Sequence, residues 1–237
     1  MLADGGGRHA VAGALDGDLL LGSEWHVAFL EFIAGEMPGW RDDPKRQPAE
    51  AETKLTAQLC ARITTALRHG PWDFLQVRRE EPDEASAARS LDIAVAPAGC
   101  RILVQGRTYS EYNTLLPMEC KRLPTPKGHE RDEREYLYSQ YKTTGGVQRF
   151  KAGHHASAHS RAAMIGYVQQ RDIAHWAKQT DGWIDKLAAA KEPGWRVSDK
   201  LALAHHDTRK RVAQLRSTHQ RDKGLADIEL DHVWIEI

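Results

Sequence analysis

The 237-residue chain has no run of about 18 apolar residues, which excludes a membrane-spanning helix. Its opening, MLADGGGRHAVAGALDGDLLLG, has neither a basic start nor a long apolar stretch. It does not read as a secretory signal, and residues 1–22 are expected to form a loose leader. Cysteine is scarce: Cys60, Cys100 and Cys120 are odd in number and far apart. That spacing argues against a disulfide framework and fits a reducing cytoplasm. No repeat of 20–50 residues stands out, which argues against a solenoid or propeller. Net charge is also missing: 33 Lys and Arg balance 33 Asp and Glu, so no global field draws the chain toward nucleic acid.

What the chain does have is an ordinary globular composition, 41% apolar and 28% charged, at a length that supports one ample core. A single domain over residues 23–237 is expected. Its charge is unevenly spread. Residues 142–223 hold 16 basic against 7 acidic residues, whereas residues 24–92 hold 9 against 13. An enzyme whose acids gather a metal while its bases meet phosphates would show this asymmetry, and so would solvated faces that differ in sign.

Periodicity gives the elements. EWHVAFLEFIAGEM reads as a helix, the proline-bearing RDDPKRQPAEAE as a loop, and AETKLTAQLCARITTALRHG as a strong helix. In the last, Leu55, Leu59, Ile63 and Leu67 recur every four residues before Gly70 and Pro71 stop it. FLQVRRE, SLDIAVAP, RILVQG and LLPMECKRL read as strands. A polar stretch, PTPKGHERDERE, then leads to a helix around EYLYSQYKT. A glycine turn precedes the short helix VQRFKAG, followed by the strand AAMIGYVQ, the amphipathic helix RDIAHWAKQTDGWIDKLAAAK, and strands near VAQLRSTHQR and IELDHVWIEI. This order predicts an α/β fold, a central mixed β-sheet flanked by helices. Trp176 and Trp183, at helical spacing, belong to its core.

In a strand, residues i and i+2 share a face, so MECKRL sets Glu119 beside Lys121 and turns Met118 and Cys120 the other way. A carboxylate suits Mg²⁺, a hard cation that takes oxygen ligands. The lysine could orient or deprotonate an attacking water, or stabilise transition-state charge. One carboxylate holds Mg²⁺ poorly; Asp92, an acid within the apolar run SLDIAV, is the natural second. A solvated surface pair is the competing reading of E-x-K.

The succession of a helix bearing an acid, S-L-D-I-A-V, M-E-C-K-R-L, a helix and a further apolar strand resembles the PD-(D/E)XK nuclease superfamily over about residues 50–168. The resemblance implies a restriction endonuclease-like fold and Mg²⁺-dependent hydrolysis of phosphodiester bonds in DNA, with Mn²⁺ as a substitute. It implies an endonuclease in bacterial, including antiviral, defence or restriction. Carried over, Asp92 matches the first motif acid, Glu119 the second and Lys121 the lysine. Asp92 is not preceded by the family's proline. Glu52, with Glu50 as fallback, matches the extra metal-binding acid on a helix, and Gln148 first, then Arg149, the glutamine or basic residue that a later helix supplies to the catalytic site.

Further along, Arg149 and Lys151 sit where helix N–H groups could face a phosphate. R-S-T-H-Q-R places Ser217, His219 and Arg221 on one strand face, so His219 and Arg221 are candidate nucleic-acid contacts; an edge strand with a polar face is the alternative. His155 and His159 have the i, i+4 spacing of a zinc pair, but their surroundings read as a loop. His154 and the pair His205–His206 complete the histidine clusters. The expected partner is DNA, with a protein activator or self-association supplying target choice. A non-catalytic nucleic-acid-binding or assembly subunit retaining the same fold is the competing function.

Overall fold

The computed structural model describes residues 13–15, 18–84, 86–141, 145–221 and 224–237. In chain order the elements are β1 (Gly13–Leu15), β2 (Asp18–Leu21), α1 (Trp25–Arg41), α2 (Glu52–His69), β3 (Leu75–Asp83), β4 (Ser86–Pro97), β5 (Arg101–Val104), β6 (Arg107–Tyr109) and β7 (Leu116–Leu123). There follow α3 (Gly146–Lys151), β8 (Arg161–Val168), α4 (Ile173–Ala189), β9 (Ala202–Asp207), β10 (Val212–His219) and β11 (Ile228–Glu236). The protein is mixed α/β. Seven strands in the order β3-β4-β7-β8-β11-β10-β9 form the main sheet, and β1-β2-β5-β6 form a smaller one. Among the described residues no helix is long and apolar enough to cross a membrane.

The main sheet is mixed for a topological reason. Strands β3, β4 and β7 follow one another antiparallel, whereas β7–β8 and β8–β11 are parallel, with α3 and then α4 among the connecting segments. Alternation along each strand builds two cores. Ile93, Val95, Met118, Cys120 and Ile165 face α1 and α2, against the Leu55–Leu59–Ile63–Leu67 stripe. Leu123, Met164, Leu230 and Trp234 face α3 and α4, where Trp176 and Trp183 are buried. Cys60, Cys100 and Cys120 are free thiols.

Two expectations are corrected. Within the 1–22 leader, residues 1–12 and 16–17 lie outside the described residues, but β1 and β2 are strands. β2 pairs parallel with β5, and Leu21 is buried in the core, so this part is built into the smaller sheet. The helix expected around EYLYSQYKT is absent over its described residues; 133–137 form turns. The carbonyls that would continue such a helix are used elsewhere. Glu135, Tyr136 and Leu137 accept the N–H groups of Gly146, Val147 and Gln148 at 2.9, 3.2 and 2.8 Å.

Gly166, within β8, shows how closely the second core is packed. A Cβ there would lie 2.5 Å from Trp234 Cδ1 and 2.8 Å from Trp234 Nε1, and that indole is tied to Tyr136. Gly166→Ala is expected to lower stability by about 1–3 kcal/mol, read as a shifted urea midpoint; an unchanged midpoint contradicts this packing.

Candidate active site

The site begins where two strands part. The β4–β7 ladder pairs Val95 with Leu116, Ala94 with Pro117 and Ile93 with Met118. Continued by one residue, that register sets Asp92 opposite Glu119, but the ladder has ended. Asp92 Oδ2 instead accepts the backbone N–H of Cys120 at 2.7 Å. On β7, Glu119 and Lys121 share a face as the strand period requires. Glu119 is completely buried, and Lys121 Nζ donates to its Oε1 at 2.9 Å.

The same ammonium is the hub of a carboxylate cluster. It lies 4.0 Å from Asp92 Oδ2 and donates to Glu52 Oε1 at 3.3 Å. Glu52 is the first residue of α2 and comes from the opposite layer; its other oxygen accepts the Arg122 N–H at 3.2 Å. Glu50, the fallback acid, meets this region through its carbonyl, which accepts from Arg122 Nη1 and Gln169 Nε2. Asp92, Glu119, Lys121 and Glu52 are therefore brought together. Asp92 keeps 32% of its side-chain surface and Glu52 23%, so the cluster opens to solvent through these two acids.

The segment after β7 supplies two more groups. Arg149 Nη1 donates to Glu119 Oε1 at 2.6 Å. His155 Nδ1 lies 3.4 Å from Glu119 Oε2, without hydrogen-bonding geometry. Among the described residues neither of these two buried atoms has a hydrogen-bond partner. His155 was legible in the sequence only as half of a zinc spacing. Here it shares no partner with His159, whose Nε2 lies 3.3 Å from Glu84.

Glycine makes this approach possible. A Cβ at Gly146 would fall 2.9 Å from the Tyr136 carbonyl oxygen, as well as 2.5 Å from Met164 Cε and 3.3 Å from Lys121 Cγ, so the backbone of residues 135–137 and the start of α3 can meet beside the lysine only without a side chain there. Its N–H groups do not face a phosphate, because the carbonyls of residues 135–137 occupy the first three.

The electrostatics follow from crowding in a dry place. Burial would raise the Glu119 carboxyl, but Lys121 first, then His155 and Arg149, hold it at about 2. Burial opposes charge on Lys121, yet Glu119, Glu52 and Asp92 keep its ammonium above the usual range. Asp92 is pushed up to about 7, first by burial and then by the Glu119 charge, against Lys121 and the Cys120 N–H.

Other predicted site residues lie elsewhere. Gln148 Oε1 accepts the N–H groups of Ser139 and Gly145, fastening the start of α3. Lys151 is buried and donates to Asp199 Oδ2 at 2.9 Å. Arg221, also buried, donates to the carbonyls of Ala226, Ala156 and His159. His219 is completely buried; its Nδ1 lies 3.1 Å from Asp199 Oδ1 and its Nε2 2.7 Å from Ser217 Oγ. In place of nucleic-acid contacts, Lys151, His219 and Arg221 make internal ones; for His219 the reason is that β10 is covered on its outer edge by β9 and on its face by the second core. Ser217, His219 and Asp199 have the connectivity of a nucleophilic triad, but Ser217 is only 6% exposed. Its hydroxyl also lies 2.8 Å from His232 Nε2, so it sits between two imidazoles.

Comparison of the chain with protein-family models, with curated proteins and with solved structures gives no match.

Among the described residues, no group of three or more His, Cys, Asp or Glu side chains forms a ready metal shell. The acids face the Lys121 ammonium instead. The donors still suit a hard divalent cation: they are carboxylate oxygens, one of them a buried oxygen without a hydrogen-bond partner among the described residues, beside an aspartate whose proton is held up by burial and then by the Glu119 charge. Folding raises the Asp92 pKa from 3.8 to about 7. The resulting penalty is absent at low pH, grows as pH rises through that window and is full above it. Asp92→Asn retains an acceptor for the Cys120 N–H and is expected to raise the melting temperature at pH 8, by an amount that shrinks toward pH 4. A variant less stable at pH 8, or a gain independent of pH, refutes this assignment of strain.

Proposed function

We propose that the protein is a metal-dependent nuclease of the restriction endonuclease-like class, hydrolysing phosphodiester bonds of DNA. The observation that carries this reading is the convergence of three carboxylates from α2, β4 and β7 on one lysine, with Lys121 Nζ at 2.9 Å from Glu119, 3.3 Å from Glu52 and 4.0 Å from Asp92. Support for the fold class comes from the order of elements around the main sheet: a helix, three antiparallel strands with the β5–β6 pair of the smaller sheet inserted before the third, a short helix and a parallel strand. Support for a DNA substrate comes from the basic excess over residues 142–223.

Asp92, Glu119 and Glu52 would hold Mg²⁺ or Mn²⁺, which supplies electrophilic stabilisation of the phosphodiester and activation of water. The chain's own groups have distinct tasks. Lys121, kept as an ammonium by its three acids, donates and cannot accept a proton, so it orients the nucleophile or stabilises developing negative charge. Arg149, with a quarter of its side chain exposed, turns from Glu119 to an incoming phosphate, for which its planar fork is suited. Asp92, the most exposed of the three acids, sits at the mouth of the site.

A non-catalytic nucleic-acid-binding subunit is the second reading. It draws on the mutual neutralisation of these charges, in which the lysine already occupies the centre of the acids. One experiment separates the two: cleavage of plasmid and single-stranded DNA with Mg²⁺, Mn²⁺ or EDTA, by wild type, Glu119→Ala and Lys121→Ala. Cleavage that requires metal and falls about 10²-fold or more in each variant is expected. Equal cleavage by all three proteins sinks the catalytic assignment, and DNA binding without cleavage favours the second reading.

A further inference from the structure

A chain of buried polar groups crosses the second core. Trp234 Nε1 donates to Tyr136 Oη at 2.6 Å, and that hydroxyl lies 2.8 Å from His232 Nδ1. His232 Nε2 meets Ser217 Oγ, which meets His219 Nε2, and His219 Nδ1 meets Asp199 Oδ1. Asp199 Oδ2 closes the chain on Lys151 Nζ, which also stands 5.1 Å over the Trp195 ring. One end, an indole, can only donate; the other, a carboxylate paired with an ammonium, can only accept. All the bonds therefore run one way, with His232 protonated on Nε2 and His219 on Nδ1. Burial holds both imidazoles below their usual range, in agreement with neutral rings.

The chain ends on α3, and α3 bears Arg149. With six residues this helix is too short to sustain itself. Its apolar anchors, Val147 and Phe150, bury area but set direction weakly, whereas hydrogen bonds to Lys151 are directional. Two residues apart on a helix, Arg149 and Lys151 project to nearly opposite sides, so fixing one sets the rotation that aims the other. His155 follows from the same segment, since the N–H groups of both His154 and His155 donate to the Arg149 carbonyl at 2.8 and 3.2 Å. A buried ion pair is seldom better for stability than well-packed apolar side chains, so geometry is what this one contributes.

We propose that the buried chain ending in the Lys151–Asp199 pair is a positioning device, which holds α3 so that Arg149 and His155 stand at the two carboxylate oxygens of Glu119. Lys151, Asp199 and His219 are positioning residues, and the catalytic consequence, though not the anchoring, rests on the nuclease reading. The test uses Lys151→Met and Lys151→Arg in the full chain. Hydrogen exchange is followed over residues 146–155, and cleavage kinetics are measured with Arg149 present and in an Arg149→Met background. In Lys151→Met, exchange over 146–155 is expected to speed up while β10 and β11 stay protected, which also reports that the variant is folded. The turnover number should fall about 10- to 100-fold with KM little changed, as for displaced reacting groups. The loss should shrink in the Arg149→Met background to the part carried by His155, and Lys151→Arg should restore most of the activity. Unchanged exchange over 146–155, or losses at 149 and 151 that multiply, overturns the proposal. If the wild type cleaves no DNA with either metal, the nuclease reading falls, and the exchange result alone decides the anchoring.

Discussion

A carboxylate with no exposed surface is costly to keep ionised, and Glu119 is one, on a central strand of the main sheet. Lys121 offsets that cost most directly, two residues along the strand, and Arg149 and His155 add to it from a separate segment. The lysine cannot serve Glu119 alone, because Glu52 and Asp92 draw on the same ammonium. Three acids thus share two cations in a poorly solvated space. Asp92 bears the result: burial first, then the Glu119 charge, holds its proton to about 7. A site of this kind trades stability for readiness: the charge that strains the fold is the charge an added cation would satisfy.

The sheet makes the cluster possible by coming apart locally. β4 and β7 share only three residue pairs before the Asp92 carboxylate replaces the ladder. That opening lets Glu52, from the layer of α1 and α2, reach Lys121, whose neighbours Leu123 and Met164 belong to the other layer. A fully paired β4–β7 ladder would separate the two faces and leave the acids with different neighbours.

The segment from Gly145 to His159 is held by hydrogen bonds from several distant parts of the chain. Carbonyls of residues 135–137 take the first donors of α3, Gln148 fastens its start, Lys151 its far side, and Arg221 the turn beyond. Much of the polar inventory that resembles a phosphate-binding surface is therefore scaffolding for two side chains, Arg149 and His155. Hydrogen bonds to buried polar groups are directional, and together they orient the segment, although His155 Nδ1 itself has no hydrogen-bond partner among the described residues.

Local geometry was legible in the sequence because it repeats. The four-residue spacing of Leu55, Leu59, Ile63 and Leu67 defined α2 and its buried stripe, and the two-residue period of MECKRL put Glu119 beside Lys121. Neither depends on the rest of the chain, since both follow from the rise and twist of the backbone. Asp92 was expected as the second acid from its place in an apolar strand and Glu52 by resemblance; tertiary structure decided their proximity, through the register at which β4 leaves β7 and the point where α2 begins. The helix expected around EYLYSQYKT is replaced over its described residues by turns, because distant N–H groups claim the carbonyls it needed. Gln148, Lys151, His219 and Arg221 carry residue types suited to phosphate, yet packing turned each toward an internal acceptor or donor. His155 became a neighbour of Glu119 only through a turn whose course no periodicity records. Residue type and period determine what a side chain can do, whereas its partner is set by which distant elements the fold brings against it.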